Sequence, residues 1–193
     1  MDDIRIHGFA GSTYVQTARL VSEEKTIRYA LAPLEFRSES HRALHPFLRM
    51  PVLTHGKLRL FETLAICVYL DGNFPGPRLV PEALENRCLT LQWISAANDY
   101  MYGALVRGLV KAETPSEDAL TAARQVLEVV DAELSRRDYL GADQITLADL
   151  FVAPMVGFAL SKPRAAELVR QYAAIVKWHE RMSRRKSFAR ISA

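Results

Sequence analysis

Cysteine is nearly absent: Cys67 and Cys88 are the two among 193 residues. That excludes a disulfide-stapled scaffold, and no C-x-x-C pair or His–Cys cluster offers a metal site. Cys67 lies in the apolar run Leu64–Leu70 and Cys88 opens another. Both are therefore expected to be buried structural thiols in a reducing cytoplasm. No stretch approaches the roughly 20 apolar residues of a membrane helix. The opening Met1-Asp2-Asp3-Ile4-Arg5 is acidic and lacks the apolar core of a signal peptide. The expectation is a cytoplasmic chain with no membrane partner. No glycine-rich phosphate loop is present, and His7, His55 and His179 show no ligand spacing, so no metal is expected. Glycine and proline, nine of each, are too few for a collagenous or low-complexity chain, and there are no internal repeats.

What is present is a globular composition, 49% hydrophobic and 24% charged. The net charge of +3 hides an asymmetry. From Ser161 onward nine Lys/Arg face two Asp/Glu, whereas the preceding residues carry sixteen basic and twenty acidic side chains. The excess is one C-terminal feature, read as a solvated helix face rather than a nucleic-acid surface.

Along the chain, Ile4–Gly8 reads as a strand and Phe9–Ser12 as a turn. Thr13-Tyr14-Val15-Gln16 fits a capping box with Thr13 as cap, opening a helix to about Lys25. Ile27–Leu34 reads as a second strand, which makes a βαβ unit. A polar stretch, Arg37–Arg49, follows. Pro51–Thr54 and Lys57–Phe61 flank His55-Gly56 as a hairpin, and Glu62–Asp71 reads as a helix. Asp71-Gly72-Asn73-Phe74-Pro75-Gly76-Pro77 is the clearest break, so residues 72–82 are read as a linker. Everything after it is helical: Glu82–Lys111, Glu117–Arg137, and an almost wholly apolar helix from a capping box at Thr146 to about Leu160. That last helix is the expected buried centre, kinked at Pro154. Two shorter amphipathic helices complete the order.

Three segments resemble the glutathione transferase family. His45-Pro46-Phe47-Leu48-Arg49-Met50-Pro51-Val52-Leu53 is similar to its Asn-Pro-x-Gly-x-Val-Pro-x-Leu segment. Leu60–Ile66 is similar to its Leu-x-Glu-Ser-x-x-Ile segment, and Ile145–Leu150 to the start of the core helix of its second domain. Gly11-Ser12-Thr13 resembles the serine-type, phi-like members. The resemblance implies an α/β thioredoxin-like domain (βαβ-ββα) at 1–76 that binds glutathione. An all-α domain at 82–193 follows, supplying the pocket for an electrophile.

The same resemblance assigns roles. Ser12 is the catalytic residue, donating to the glutathione sulfur. A free thiol of pKa about 8.5 is about 3% ionised at pH 7, and a two-unit drop, about 2.7 kcal/mol, makes it roughly 75% thiolate. A charge-assisted hydrogen bond with a helix dipole supplies energy of that order. A plain turn or cap residue is the alternative, and Thr13 or Tyr14 are neighbouring donors. Met50, before a cis Pro51, pairs its backbone with glutathione, and Glu62 and Thr63 hold the γ-glutamyl group at a helix N-terminus. An ordinary trans proline, and residues that only cap a helix, are the alternatives there. Arg49 reaches for the glycyl carboxylate, as do His41 and Arg42, with a solvated surface position the alternative for His41. Phe9, Tyr14, Tyr100, Tyr102 and Arg107 are candidates for the electrophile pocket. Departures are His45 for Asn, Leu48 for Gly, and Thr63 for Ser.

The implied function is a cytosolic homodimeric transferase in detoxification, adding glutathione thiolate to a small hydrophobic electrophile. Glutathione-dependent peroxidase, dehalogenase or isomerase activity is the second reading. The third is a non-catalytic binding or regulatory protein, which Leu48 in place of Gly favours.

Overall fold

A computed structural model describes residues 3–192. These divide into two compact units, one ending at Leu79 but regaining the chain from Lys186 on, the other Val80–Arg185. In chain order the first holds β1 (Ile4–His7), α1 (Thr13–Glu24), β2 (Ala30–Ala32), α2 (Glu39–Leu44), β3 (Val52–His55), β4 (Leu58–Phe61) and α3 (Thr63–Asn73). The second holds α4 (Leu84–Ala96) with a π-helical continuation (Ala97–Val110), α5 (Glu117–Leu134), α6 (Leu147–Leu160), α7 (Pro163–Val169) and α8 (Ala173–Ser183). α9 (Lys186–Ser192) rejoins the first unit. The thioredoxin-like βαβ-ββα order followed by helices is as the resemblance implies.

The four-stranded sheet has the order β2-β1-β3-β4. β1 and β2 are parallel, while β3 runs antiparallel to both β1 and β4. Ile4 and Ile6 alternate with exposed Arg5 and enter the core, as a period of two requires. α1 buries Val15, Ala18, Leu20 and Val21, α3 buries Ile66, Cys67 and Leu70, and the two helices pack together. Burial pushes the Cys67 thiol pKa up, so it is inert. Gly8 sits where α1 presses on the sheet. A Cβ built there would stand 2.5 Å from Val15 Cγ2, so glycine is required. A buried ion pair, Lys25 Nζ to Asp71 Oδ1 at 3.1 Å, ties the end of α1 to α3, and Asp71 also accepts from the N–H of Leu79 at 3.0 Å.

Several local expectations are corrected. The cap of α1 is Ser12, not Thr13: Ser12 is extended and its Oγ accepts from the N–H of Val15, while Gln16 Nε2 donates to the Ala10 carbonyl. β2 is only three residues because Pro33 follows it without an N–H to pair. The polar stretch contains α2, capped by Ser38 Oγ from the N–H of His41. Cys88 is exposed, not buried. The long helix after the linker widens to π geometry from Ala97, where Gly103 and Gly108 lie.

In the second unit α6 is buried along nearly its whole length and runs as continuous helix through Pro154. Its capping box at Thr146 is present as read from the sequence. Asp149 does more than cap. Its carboxylate accepts from the N–H of Leu140 at 2.9 Å, the N–H of Thr146 at 2.9 Å and Trp178 Nε1 at 3.0 Å. It thereby joins the loop before α6 to α8. Asp131 of α5 accepts from the N–H groups of Ala174 and Ile175 and so caps α8.

Burial outweighs these three hydrogen bonds and a fourth from Thr146 Oγ1 at 3.4 Å, and pushes the Asp149 pKa from 3.8 up to about 6. Between those values the folded state keeps a proton that the unfolded chain has lost, so this group's contribution to stability falls as pH rises. Asn at 149 would turn an amide N–H toward that of Thr146, at a cost of about 1–3 kcal/mol. Urea denaturation should therefore find Asp149→Asn less stable than the wild type at pH 4.5, with a smaller gap at pH 7. A gap that does not change with pH counts against the assignment.

Candidate active site

Three sequence-distant segments reach one end of the sheet of the first unit. β1 is antiparallel to β3, and β3 to β4, so β1 and β4 run the same way. The row His7–Val52–Phe61 crosses all three strands. Past it, β1 leads through Gly8 into the turn before α1, β4 leads through Glu62 into α3, and Met50-Pro51 arrives to start β3. With strands about 4.8 Å apart, the three segments span roughly 10 Å. α1 and α3 lie side by side, both beginning at this end. Their unpaired N–H groups and positive dipole ends therefore share it.

Ser12 is half-buried. Its N–H donates to the Phe9 carbonyl at 3.1 Å and closes the turn, and its carbonyl accepts from Gln16 at 2.9 Å as the first helical bond of α1. The cap bond from Val15 N–H to Ser12 Oγ, 3.5 Å, uses a hydroxyl lone pair and leaves the O–H able to donate. Thr13 is buried, Tyr14 half-buried, and Phe9 56% exposed beside this turn.

The Met50–Pro51 bond is cis. Met50 packs at Gly8, whose built Cβ would lie 3.6 Å from Met50 Sδ, so the segment before β3 touches the end of β1. Glu62 has φ +69°, a left-handed conformation that turns β4 sharply into α3. It precedes the first helical residue, and its exposed side chain makes no capping hydrogen bond. Thr63 is buried at the helix start.

His41 is fully buried, which removes the surface alternative. Its Nδ1 accepts from the N–H of Arg37 at 3.0 Å, so Nε2 carries the proton and donates to the Arg49 carbonyl at 2.9 Å. The Arg49 side chain is exposed, as is that of Arg42. Leu48 adopts φ +51°, the conformation a glycine would favour there, while half-buried. His45, buried, accepts from the N–H of Phe47 at Nδ1 and stacks on Phe61 with centroids 5.0 Å apart. Burial lowers its pKa, opposed by the Glu62 carboxylate. Sequence reasoning noted His45 only as a departure. Its signal is the i, i+4 spacing from His41, directly ahead of Pro46.

Tyr100, Tyr102 and Arg107 belong to the second unit, on the π-helical run. Tyr100 is exposed, and the Arg107 guanidinium lies 5.2 Å from the Tyr102 ring centroid. Among the described residues no group of three His, Cys, Asp or Glu side chains is placed to hold a metal, and no helix is long and apolar enough to cross a membrane.

Comparison with known proteins places the chain. Residues 6–78 match the family model for the glutathione S-transferase N-terminal domain, and residues 94–186 that for the C-terminal domain. Glutathione S-transferase F11 of Arabidopsis thaliana is 28% identical over 97% of this chain and 96% of its own. A probable glutathione S-transferase of Oryza sativa subsp. japonica is 30% identical over 78% of each chain. Among solved structures, glutathione transferase F7 from Populus trichocarpa superposes with a TM-score of 0.88 at 24% identity, covering 98% of this chain and 97% of that one. A glutathione transferase homologue from Drosophila mojavensis with bound glutathione gives 0.89 at 19% identity, covering 100% and 92%. These two structures share the fold. With both units matched and relatives of that name aligned along its length, the chain belongs to the glutathione S-transferase family of enzymes.

Proposed function

We propose that the chain binds glutathione across the end of the sheet in its first unit and activates the thiol through Ser12 for attack on a small hydrophobic electrophile. The observation that carries this is the shared row of β1, β3 and β4, which brings a hydroxyl-capped helix start, the Met50-Pro51 segment leading into β3 and a second helix start within about 10 Å end to end. An extended tripeptide has that length.

In this reading the cysteinyl backbone adds to Met50 as a further strand. The γ-glutamyl carboxylate meets the N-terminus of α3 and Thr63, and its ammonium meets the uncapped Glu62 carboxylate. The exposed Arg49 guanidinium serves the glycyl carboxylate. His41, with both ring nitrogens on backbone groups, supports this segment from beneath. The thiol then lies over the start of α1. There the Ser12 O–H donates to sulfur and the helix dipole favours the negative charge, so the proton is released at neutral pH. The thiolate attacks the electrophilic carbon, a C–S bond forms, and the displaced electron pair leaves with the leaving group or is protonated. Phe9 and Tyr14 offer the electrophile an aromatic surface beside the sulfur. Phe47 and Val68 are exposed apolar side chains on the same unit, and we assign them to a homodimer interface.

Ser12→Ala should retain glutathione on an immobilised-ligand column while conjugation at pH 7 falls by up to roughly 25-fold, the ratio of about 75% to about 3% thiolate. Loss of the cap should cost about 1 kcal/mol of stability as well. Unchanged turnover would show that Ser12 is not the thiolate stabiliser. Leu48→Gly relieves a left-handed residue worth about 1–2 kcal/mol, offsetting its lost packing. It should therefore keep both column retention and melting temperature, whereas a gain of retention from none would favour the non-catalytic reading. Size-exclusion chromatography should return twice the 21.7 kDa chain mass; a monomer sinks the dimer assignment.

A further inference from the structure

The segment from Arg37 to Met50 is held by two imidazoles, and both hold it as hydrogen-bond acceptors. His41 Nδ1 takes the N–H of Arg37 at 3.0 Å and His45 Nδ1 takes the N–H of Phe47 at 3.2 Å. The His45 carbonyl also accepts the N–H of Leu48 at 2.9 Å, closing the turn on which Leu48 is left-handed. The two rings sit one helical turn apart, edge to face at 6.5 Å, and both are buried.

His41 has a second bond with a longer reach. Its Nε2–H donates to the Arg49 carbonyl, and that carbonyl belongs to the same planar peptide group as the N–H of Met50. Fixing the oxygen on His41 fixes the N–H to point the opposite way. The orientation of the proposed donor to glutathione is thus set by one imidazole.

A protonated imidazole has no acceptor, so Nδ1–H would confront a backbone N–H at each site. The surroundings of the two rings are mixed. His41 faces the Phe36 ring at 5.3 Å, with the Arg37 guanidinium over that ring and Glu39 and Arg42 exposed on α2. His45 faces Phe47, Phe61, the Glu62 carboxylate, Arg49 and His41. From β4, Arg59 donates to the Ala43 carbonyl between the two histidines. Only the Glu62 carboxylate favours a charged His45, and burial outweighs it. Two charged rings 6.5 Å apart would also repel.

We infer that His41 and His45 are positioning residues that hold the Arg49–Met50 peptide in its binding orientation only as neutral imidazoles, so that their protonation releases glutathione. This rests on the reading of the site as a glutathione site. Burial lowers the His45 pKa from its ordinary 6.5, so the loss occurs as pH falls below that value and is absent at pH 7 and above. No carboxyl, amino or thiol group of glutathione has an ordinary pKa between 5 and 6.5, so the ligand does not titrate in that window, and replacing His41 and His45 separates them from protein groups that do, such as Asp149.

The test uses S-methylglutathione, whose blocked thiol removes Ser12 chemistry, with affinity measured by calorimetry at pH 7 and pH 5. The wild type should bind roughly fivefold or more weakly at pH 5, the fold-change that goes with one lost hydrogen bond. His45→Asn keeps an acceptor for the Phe47 N–H that does not titrate in this window, and His41→Gln keeps a donor for the Arg49 carbonyl. The double variant should show a pH 7 to pH 5 affinity ratio near one, whatever its absolute affinity. Imidazole ¹⁵N spectra of the wild type should independently show both Nδ1 atoms unprotonated at pH 7. A wild-type affinity that does not change, a double variant with the wild-type ratio, or protonated Nδ1 atoms at pH 7 each overturn this inference alone. Absence of binding at pH 7 overturns the glutathione reading and this inference with it.

Discussion

The antiparallel register of β3 between β1 and β4 decides where each part of the candidate site begins. His7, Val52 and Phe61 stand in one row, so the next residue beyond each strand is committed to the same end of the sheet. A one-residue slip of β3 would exchange the faces of Val52 and Leu53, both fully buried, and undo the packing fitted to each side chain. The hydrophobic core thus enforces the register, and the register enforces the site. Gly8 tightens the arrangement: with no Cβ, it lets Val15 and Met50 close on the end of β1 from two sides.

Much of the site is backbone. Two helix starts, the Arg49–Met50 peptide and the left-handed Glu62 owe their geometry to hydrogen bonds and φ values. Side chains enter mainly as caps and clamps: Ser12 for α1, Ser38 for α2, His41 for Arg49, His45 for Phe47. A clamp of this kind is replaceable by any residue that presents the same donor or acceptor. That is how His45 can stand where the family segment has Asn, and Thr63 where it has Ser. Leu48 is a different departure: it keeps the left-handed φ of a glycine position and absorbs the strain.

Local signals carried the reading furthest. His55-Gly56 between two short apolar runs marks the hairpin because a positive φ, +57° at Gly56, is what a tight turn needs. Thr146 and Asp149 mark the start of α6 because the box is satisfied within four residues. What was not legible depends on contacts made at a distance or on neighbours competing for one role. Ser12 and Thr13 are both good caps, and only the turn closed by Phe9 decides for Ser12. α2 has six residues and no apolar stripe, so its period is invisible; its stability comes from the Ser38 cap and from Arg59 and Arg49 across the fold. The burial of His41 likewise follows from partners four and eight residues away rather than from its polar neighbours. Cys88 shares an apolar-looking run with Leu89 and Leu91, yet lies on the outer side of α4.

The C-terminal charge ties these points together. α1 ends in Glu23 and Glu24, two carboxylates at the negative end of a helix dipole, which is unfavourable for both. α9 returns to this unit and meets them: Arg190 pairs with Glu23 at 3.3 Å, and Ser187 donates to Glu24. An exposed pair contributes about 1 kcal/mol or less by itself. Its effect here is to favour the docking of a helix that packs along α1, whose other end presents Ser12. Part of the basic excess is therefore not a solvated face but a counter-charge to the acidic end of the helix that opens the site. In the sequence the two partners lie 167 residues apart, beyond the reach of any periodicity. Net charge, which first suggests an anionic partner, finds part of its partner within the same chain.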